Sequence, residues 1–281
     1  MSRAPIVVPF LVNDGFIIKH LSDAMMSRFY LPLLAACLLV VPPVAARECH
    51  ADLVESDAVV QRIVDGDTLV LSTEQRVRII GVNTLEMDAK SAQDKQWARK
   101  AADIVSQLVA GKNVLMLAER DRKDRHGRLL AHIRLQDGQD VASILIQQGL
   151  GVAVAIGRNT VCAHDNIVLE NQARSSNLGI WRNKGNWWRD ADELLNAERG
   201  FQLIRAPISR RSHTGNETRV QLANGLSLTL GRQWPLDAAQ TDALFANTDR
   251  QLVEVRGWIG GRKTTPQLTL HHPANLRFIS P

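Results

Sequence analysis

Apolar and polar residues alternate along several short stretches after residue 57, which is the pattern of half-buried β-strands. The first three stretches have tight polar connections and predict a three-stranded meander: AVVQRIVDG, DTLVLST and QRVRIIGV. Apolar residues then recur at three- and four-residue steps in DKQWARKAADIVSQLVAG, which predicts a helix with Gly111 as its C-cap. Two more strands are predicted after this helix, NVLMLAE and RLLAHIRL.

Three strands, a helix and two strands are the element order of a small closed barrel of the OB type. Asp140 can cap a short helix after the fifth strand, and a final helix is predicted from about His164 to Asn177. The predicted fold class is therefore mainly β with α. It consists of an OB-fold five-stranded barrel with helices, in a domain that spans residues 47–188.

The same order of elements is repeated beyond Trp188. Asn224-Gly225 is a strong hairpin-turn signal between the second and third strands of this part. A short helix is predicted first, at DADELLNAERG. The elements predicted after it are FQLIRAPISRR, TRVQLA, LSLTL, the helix PLDAAQTDALFA, QLVEVRGWI and PQLTLHHPANLRFI. A second, smaller OB-like β-barrel is therefore predicted for residues 189–281.

The first 46 residues have the parts of an export signal: a basic residue at Arg28, a short apolar core and small residues before a cleavage site near Ala46. Residues 1–25 precede these parts, and a misplaced start codon would explain their presence. A lipoprotein box ending at Cys37 is the alternative. Because no run of 18 apolar residues exists, no stable membrane insertion is expected after cleavage, and we expect a periplasmic or secreted protein.

The net charge indicates a class of partner, and the cysteines indicate a candidate disulfide. The chain has 34 Lys and Arg against 29 Asp and Glu, and a basic protein suits a polyanionic partner. Cleavage near Ala46 would remove Cys37 and leave Cys49 and Cys162. In an oxidising compartment this pair is interpreted as a tentative disulfide, and two unpaired thiols are the alternative.

Polar residues near the ends of the predicted strands are the candidate chemical groups. A carboxylate and an amide oxygen can hold a hard cation such as Ca²⁺, and arginines offer forked donors to phosphate oxygens. A further carboxylate could orient or deprotonate a water molecule. Taken singly, each of these residues could also cap a turn or lie in solvent. The stretches VDGDT, VRIIGVNTLE and DRHGR together supply Asp67, Arg78, Asn83, Thr84, Glu86 and Arg128.

These stretches, with a closing ARSSNLGIW, occur in an order that resembles the staphylococcal nuclease (thermonuclease-like) family from about Val59 to Trp181. The resemblance implies that Asp67, Asn83 and the Thr84 carbonyl are ligands of a divalent cation, Ca²⁺. It also implies three catalytic residues: Glu86 activates water, while Arg78 and Arg128 bind the scissile phosphate. The second barrel resembles an accessory domain that follows the nuclease domain in some bacterial members.

This chain departs from the family pattern at positions that matter for binding. The family usually has aspartate at the position of Asn83 and proline at that of Leu85. A neutral amide keeps an oxygen ligand but removes one negative charge, which lowers affinity for the cation. Tyrosines that contact the nucleotide in well-known members are replaced by Ala155 and Gly157.

Two functions of different classes follow. The first is an exported, monomeric, metal-dependent phosphodiesterase that cleaves DNA, RNA or both by water attack and leaves 3′-phosphate products. The second is a catalytically weak or inactive module that binds nucleic acid or a protein partner without cutting it. Asn83 and the missing tyrosines favour the second function, whereas the other five candidate site residues favour the first.

Overall fold

A computed structural model describes residues 53–182, 188–190, 200–214, 217–231, 234–246, 248, 250–262 and 265–279. Both sets of strands belong to one compact unit, Arg47–Pro281. The predicted export signal, Cys49 and residues 191–199 of the helix predicted at DADELLNAERG lie outside the described residues. The boundary predicted at residue 188 stays a prediction. Among the residues described, no helix is long and apolar enough to cross a membrane.

The first barrel has the predicted connectivity. The strands of this part of the chain are β1 (Val54–Ile63), β2 (Thr68–Leu71), β3 (Arg76–Ile79), β4 (Val82–Thr84), β5 (Asn113–Ala118) and β6 (Leu129–Arg134). Five of them close in the order β1-β2-β3-β6-β5, with β5 paired to β1, and only the contact between β3 and β6 is parallel. This is a five-stranded barrel of the OB type, as the element order predicted.

Helix α1 (Ala92–Val109) packs its apolar stripe on this barrel. Ser91 caps its first turn by accepting a hydrogen bond from the Asp94 amide at 3.3 Å. Its C-cap is Ala110, and Gly111 follows with a φ of 71°, so the predicted C-cap was wrong by one residue. The buried residues of the stripe are Ala98, Ala101, Val105 and Val109.

Three short elements complete the first half of the fold: α2 (Val141–Gln147), β7 (Gly151–Ala153) and α3 (Ala163–Ser175). Asp140 caps α2 as predicted, since its side chain accepts a hydrogen bond from the Ser143 amide at 2.8 Å. Strands β4 and β7 form a small separate sheet that the sequence pattern did not predict. Three residues are too few to show a period. This sheet matters because β4 carries two of the candidate metal ligands.

The second barrel repeats the topology of the first. Its elements are β8 (Trp188–Asp190), β9 (Gly200–Thr214), β10 (Glu217–Leu222), β11 (Ser227–Leu230), α4 (Ala238–Leu244), β12 (Leu252–Arg262), β13 (Thr265–Leu270) and β14 (Leu276–Phe278). Strand β12 pairs with both β13 and β9, so the ring β9-β10-β11-β13-β12 is closed and the predicted second OB-like barrel is confirmed. Strands β8 and β14 extend the sheet at its two ends.

Buried polar contacts join the second barrel to β7 and α3 of the first. Arg256 donates to both carboxylate oxygens of Glu170, and its Nη1 also donates to the Ala153 carbonyl at 2.8 Å. The Asn275 amide group makes two hydrogen bonds to the backbone of Ala155, at 3.0 and 2.6 Å. The chain that follows the small sheet is therefore held in place by the second barrel.

Candidate active site

Asp67 lies at the centre of the site, immediately before β2, and its side chain is almost completely buried. Its Oδ2 accepts hydrogen bonds from the Thr84 amide at 2.8 Å and from the Thr84 hydroxyl at 3.2 Å. Its Oδ1 accepts from Thr68 and lies 3.2 Å from Nε of Arg78. The carboxylate therefore connects the start of β2 to the end of β4, which explains why a charged residue is buried between strands.

The glycine of the VDGDT stretch is required by close packing at this point. A Cβ on Gly66 would lie 2.7 Å from the Ala101 Cβ and 2.8 Å from two side-chain atoms of Thr84. Any larger residue would therefore push α1 or Thr84 away. Because Thr84 is hydrogen-bonded to Asp67, that displacement would also disturb the site.

Arg78 is buried with 6% exposure, so it is not an outward strand residue. Its Nη1 donates to the carbonyls of Ile79 at 2.7 Å and Val82 at 2.8 Å, and its Nη2 donates to the Asn83 Oδ1 at 3.0 Å. The guanidinium thus organises the chain between β3 and β4 and neutralises Asp67. The sequence placed Arg78 in the site but did not predict this structural role.

Asn83 and Thr84 bring two further oxygen atoms to the same place. Asn83 is partly buried, and its Nδ2 donates to the Thr84 carbonyl at 3.2 Å. Pairing with β7, where Asn83 lies opposite Val152, fixes the backbone of both residues. The structure therefore brings Asp67, Arg78, Asn83 and Thr84 into one hydrogen-bonded group.

Arg128 reaches this group from the loop before β6. Its Nε donates to the Asp124 Oδ2 at 2.7 Å, and its Nη1 donates to the Thr68 hydroxyl at 3.3 Å. Asp124 also accepts from the backbone amides of His126 and Arg128, so the loop is internally braced. Burial acts to raise the pKa of Asp124, but the hydrogen bonds from Arg128 and His126 and the charge of Arg128 together outweigh it and lower the pKa. The Arg128 side chain retains 28% exposure.

Glu86 follows β4 and is exposed. Its pKa is raised, first by desolvation and then by repulsion from Asp67 and Asp65, while Arg78 acts in the opposite direction. The pKa of Asp65 is raised for the same reasons, desolvation and then Asp67. Asp65 is not among the site residues that the sequence analysis selected. Its spacing of two residues from Asp67 is the signal that could have assigned it to this acidic group.

The chemistry of these oxygens fits a hard cation. A carboxylate, an amide oxygen and a backbone carbonyl are ligands that Ca²⁺ accepts, and a cation would relieve the repulsion among Asp65, Asp67 and Glu86. Among the described residues, however, no three His, Cys, Asp or Glu side chains are grouped to bind a metal. The oxygens of Asn83 and Thr84 also accept hydrogen bonds within the site. A cation would therefore have to compete with these donors.

A cavity of about 570 Å³ opens beside this group. Its lining includes Asn83, Thr84 and Glu86 of the first barrel together with Phe201 and Trp258 of the second barrel. Residues of the second barrel therefore line the same cavity as two of the candidate metal ligands. No pattern in the sequence indicated that the two barrels share a cavity.

Cys162 lies at the start of α3, is 3% exposed and is disulfide-bonded. The tentative partner, Cys49, lies outside the described residues. The pairing of Cys49 with Cys162 therefore stays a prediction.

Comparison with known proteins places the first barrel in a family. A family model described as "Staphylococcal nuclease homologue" matches residues 76–183. An "Uncharacterized endonuclease" of Escherichia coli is 30% identical over 156 residues, which are 55% of this chain and 90% of that protein. Endonuclease YncB of Bacillus subtilis (strain 168) is 32% identical over 44% of this chain and 61% of its own length. A thermonuclease of Staphylococcus intermedius is 25% identical over 48% of this chain and 82% of its own length.

The family match extends from β3 to just beyond α3, so it contains every candidate site residue except Asp67, which lies nine residues before its start. The second barrel lies outside it. Because this chain aligns with 90% of an endonuclease at 30% identity, and because its first barrel matches the family model, the chain belongs to the family of staphylococcal nuclease homologues.

Proposed function

We propose that this protein is a metal-dependent phosphodiesterase that hydrolyses DNA, RNA or both. The observation that carries the proposal is the buried group around Asp67, which has two arginines within its hydrogen-bonding network and a large cavity beside it. The endonuclease and thermonuclease names of its relatives support a nuclease function. Metal dependence, 3′-phosphate products and export are further parts of the proposal, and the names of these relatives do not state them.

In this proposal the chain's own groups bind and polarise the phosphate. Arg128 keeps exposed surface, so its guanidinium can turn from Thr68 towards a phosphate oxygen while Asp124 holds its Nε. Arg78 adds positive charge from beneath, and the two residues stabilise the charge that accumulates in the transition state. Asp67, Asn83 and the Thr84 carbonyl would hold Ca²⁺, which when bound would neutralise further charge on the phosphate.

Glu86 is the proposed general base. Its raised pKa brings the carboxylate closer to neutral pH, where a base is most effective, and its exposed position lets it accept a proton from a water molecule. The water oxygen forms the new bond to phosphorus as the bond from phosphorus to the 5′ oxygen breaks. The leaving oxygen takes up a proton, and the products are a 3′-phosphate and a 5′-hydroxyl.

A binding module without cleavage is the second candidate. It is favoured by the Asn83 side chain, which lacks the family's charge and accepts a hydrogen bond from Arg78. For location, we propose export to the periplasm or beyond the cell, with anchoring at Cys37 as the alternative. Disulfide bonding of Cys162 supports an oxidising compartment.

Removal of the metal tests the proposal. With Ca²⁺ present, we expect the protein to cut single-stranded DNA or RNA into fragments that carry 3′-phosphates, and we expect excess chelator to stop the reaction. Gel analysis of end-labelled strands before and after phosphatase treatment measures both points. Strand binding without cleavage at any Ca²⁺ concentration would instead establish the binding module.

The Asn83→Asp variant tests the metal ligands. A carboxylate can still accept from Arg78, adds one charge to the site and removes the Nδ2 donor from the Thr84 carbonyl. We therefore expect the Ca²⁺ concentration for half-maximal cleavage to fall, on the order of tenfold, because ligand charge sets Ca²⁺ affinity. Calcium-dependent cleavage and calorimetric titration of the metal measure the change.

Asn113→Asp is the matched control, because it adds the same charge at an exposed position on β5. It should leave the calcium response unchanged. An equal or weaker calcium response in the Asn83→Asp variant would remove Asn83 from the ligand set.

A further inference from the structure

Trp258 is an exposed aromatic residue in an unusual position. It lies on β12 of the second barrel, 40% of it is exposed, and it borders two cavities. One is the cavity of about 570 Å³ that is also lined by Asn83, Thr84 and Glu86. Single exposed apolar residues are common on protein surfaces and require no explanation. A large aromatic ring between two cavities, one of which reaches the candidate active site, does require one.

The orientation of the Trp258 ring is set by a second aromatic residue. Phe201 lies opposite it on β9, and the ring centroids are 5.0 Å apart with an interplanar angle of 68°. This edge-to-face contact is a favourable geometry for an aromatic pair. Phe201 is partly buried, so it anchors the indole from one side. A ring held in this way loses little further freedom when a planar ligand stacks on it.

The second cavity, of about 450 Å³, provides space and positive charge beside Trp258. Gly260 lines it, and a Cβ there would come no closer than 3.9 Å to another atom. Crowding therefore does not demand this glycine, and its small size keeps the cavity open. Arg125 contributes the formal charge, and none of the described residues that line this cavity is acidic.

Arg125 connects the second cavity to the proposed chemistry. It lies three residues before Arg128 in the same braced loop, and its side chain is exposed. Ile156, which is 37% exposed, adds an apolar surface to the same cavity. An apolar, aromatic surface next to Arg125 suits a ligand with a flat ring and an attached anion. A nucleotide of a single strand has this composition.

We propose that Trp258 is a stacking site for one unpaired base of the substrate strand, with Arg125 placed for the adjoining phosphate. The second barrel would then supply the aromatic contact that Ala155 and Gly157 cannot make in the first barrel. This inference rests on the proposed function, because it takes the strand in the active site as the ligand. Base stacking tolerates any sequence, so the site would favour single strands without selecting a particular base.

Two strands of equal length and charge test this site: a short oligothymidylate and the corresponding abasic strand. Both are titrated in excess EDTA, so that binding is measured by fluorescence anisotropy without cleavage. Wild-type protein should bind the oligothymidylate more tightly than the abasic strand. The Trp258→Ala variant should lose on the order of tenfold in affinity for the oligothymidylate and none for the abasic strand.

Two further variants keep the result interpretable. Trp258→Leu retains apolar volume without an aromatic face and should behave like Trp258→Ala, whereas Trp258→Phe should retain much of the preference for bases. Leu252→Ala removes another exposed apolar side chain from β12, outside both cavities, and should change neither affinity. Thermal melts confirm that each variant is folded.

The outcome separates this inference from the function on which it rests. A preference for bases that depends on Trp258 would support the stacking site even if no strand is ever cut. Equal affinities for the two strands, an unchanged preference in Trp258→Leu, or no binding of either strand would overturn it. Equal affinities alongside metal-dependent cleavage would leave the nuclease function standing and assign Trp258 to another partner, such as a protein surface.

Discussion

Replacement of Arg128 by alanine is expected to lower the turnover of strand cleavage by about 10²–10³-fold, the cost of removing one preorganised donor to a charged transition state. The Arg128 side chain donates to Thr68, the neighbour of Asp67, and it is partly exposed. Among the residues described, no other positive group of the candidate site combines these two properties. The Arg128 guanidinium can therefore contact a substrate without a change in the loop backbone. Steady-state cleavage of a labelled single strand measures kcat and KM separately.

The fold should survive this change, because the ion pair with Asp124 is partly exposed and such pairs contribute roughly 0–1 kcal/mol. Backbone amides of His126 and Arg128 still donate to Asp124 in the variant. Arg122→Ala is the matched control, since it removes an exposed arginine from the same loop. Similar turnover in the Arg122→Ala and Arg128→Ala variants would exclude Arg128 from the mechanism.

Arg78 does not offer an equally clean test. It donates to two backbone carbonyls and to Asn83, and it pairs with Asp67. Only 6% of Arg78 is exposed. Its removal would leave a buried carboxylate and several acceptors without their donor, which destabilises the fold as well as the chemistry. Loss of activity in Arg78→Ala would therefore not identify its cause.

The sequence predicted both barrels because their connections are local and their strands are long enough to show a period. Tight turns, the Asp140 cap and the stripe of α1 are each encoded within a few neighbouring residues. The sequence also assigned the candidate residues Asp67, Arg78, Asn83, Thr84 and Arg128 to one site. Three of them lie on or next to the neighbouring barrel strands β2, β3 and β6, and the other two lie on β4, which follows β3 directly in the chain.

Contacts between distant parts of the chain could not be read from local patterns. The β4–β7 sheet pairs two three-residue strands almost 70 residues apart, and neither has a period of its own. The structural role of Arg78 depends on carbonyls exposed by the turn after β3. The shared cavity at Trp258 requires knowledge of how one barrel packs on the other, which pattern and composition do not contain.

Among the contacts between the two barrels, those of Arg256 are expected to contribute most to the free energy of unfolding. We expect Arg256→Ala to lower the free energy of unfolding by about 3–5 kcal/mol, since removal of one partner of a buried ion pair leaves the other charge uncompensated. Glu170, at 1% exposure, would lose two hydrogen bonds, and the Ala153 carbonyl would lose one. Arg174, whose Nη1 lies 3.8 Å from the Glu170 Oε1, compensates only in part.

Urea denaturation followed by tryptophan fluorescence measures this loss, with Arg277→Ala as the control. Arg277 also carries a charge near a buried glutamate, but its side chain is 49% exposed and 3.6 Å from Glu254, so its removal should cost little. The double variant Arg256→Met with Glu170→Met should recover much of the stability, because a buried pair replaced by apolar side chains is often neutral. A loss in Arg256→Ala no larger than in Arg277→Ala would contradict the expected role.

If the large loss is found, cleavage activity should fall at the same urea concentration as the fluorescence. Glu170 and Arg256 hold β7, and β7 holds the strand that carries Asn83 and Thr84.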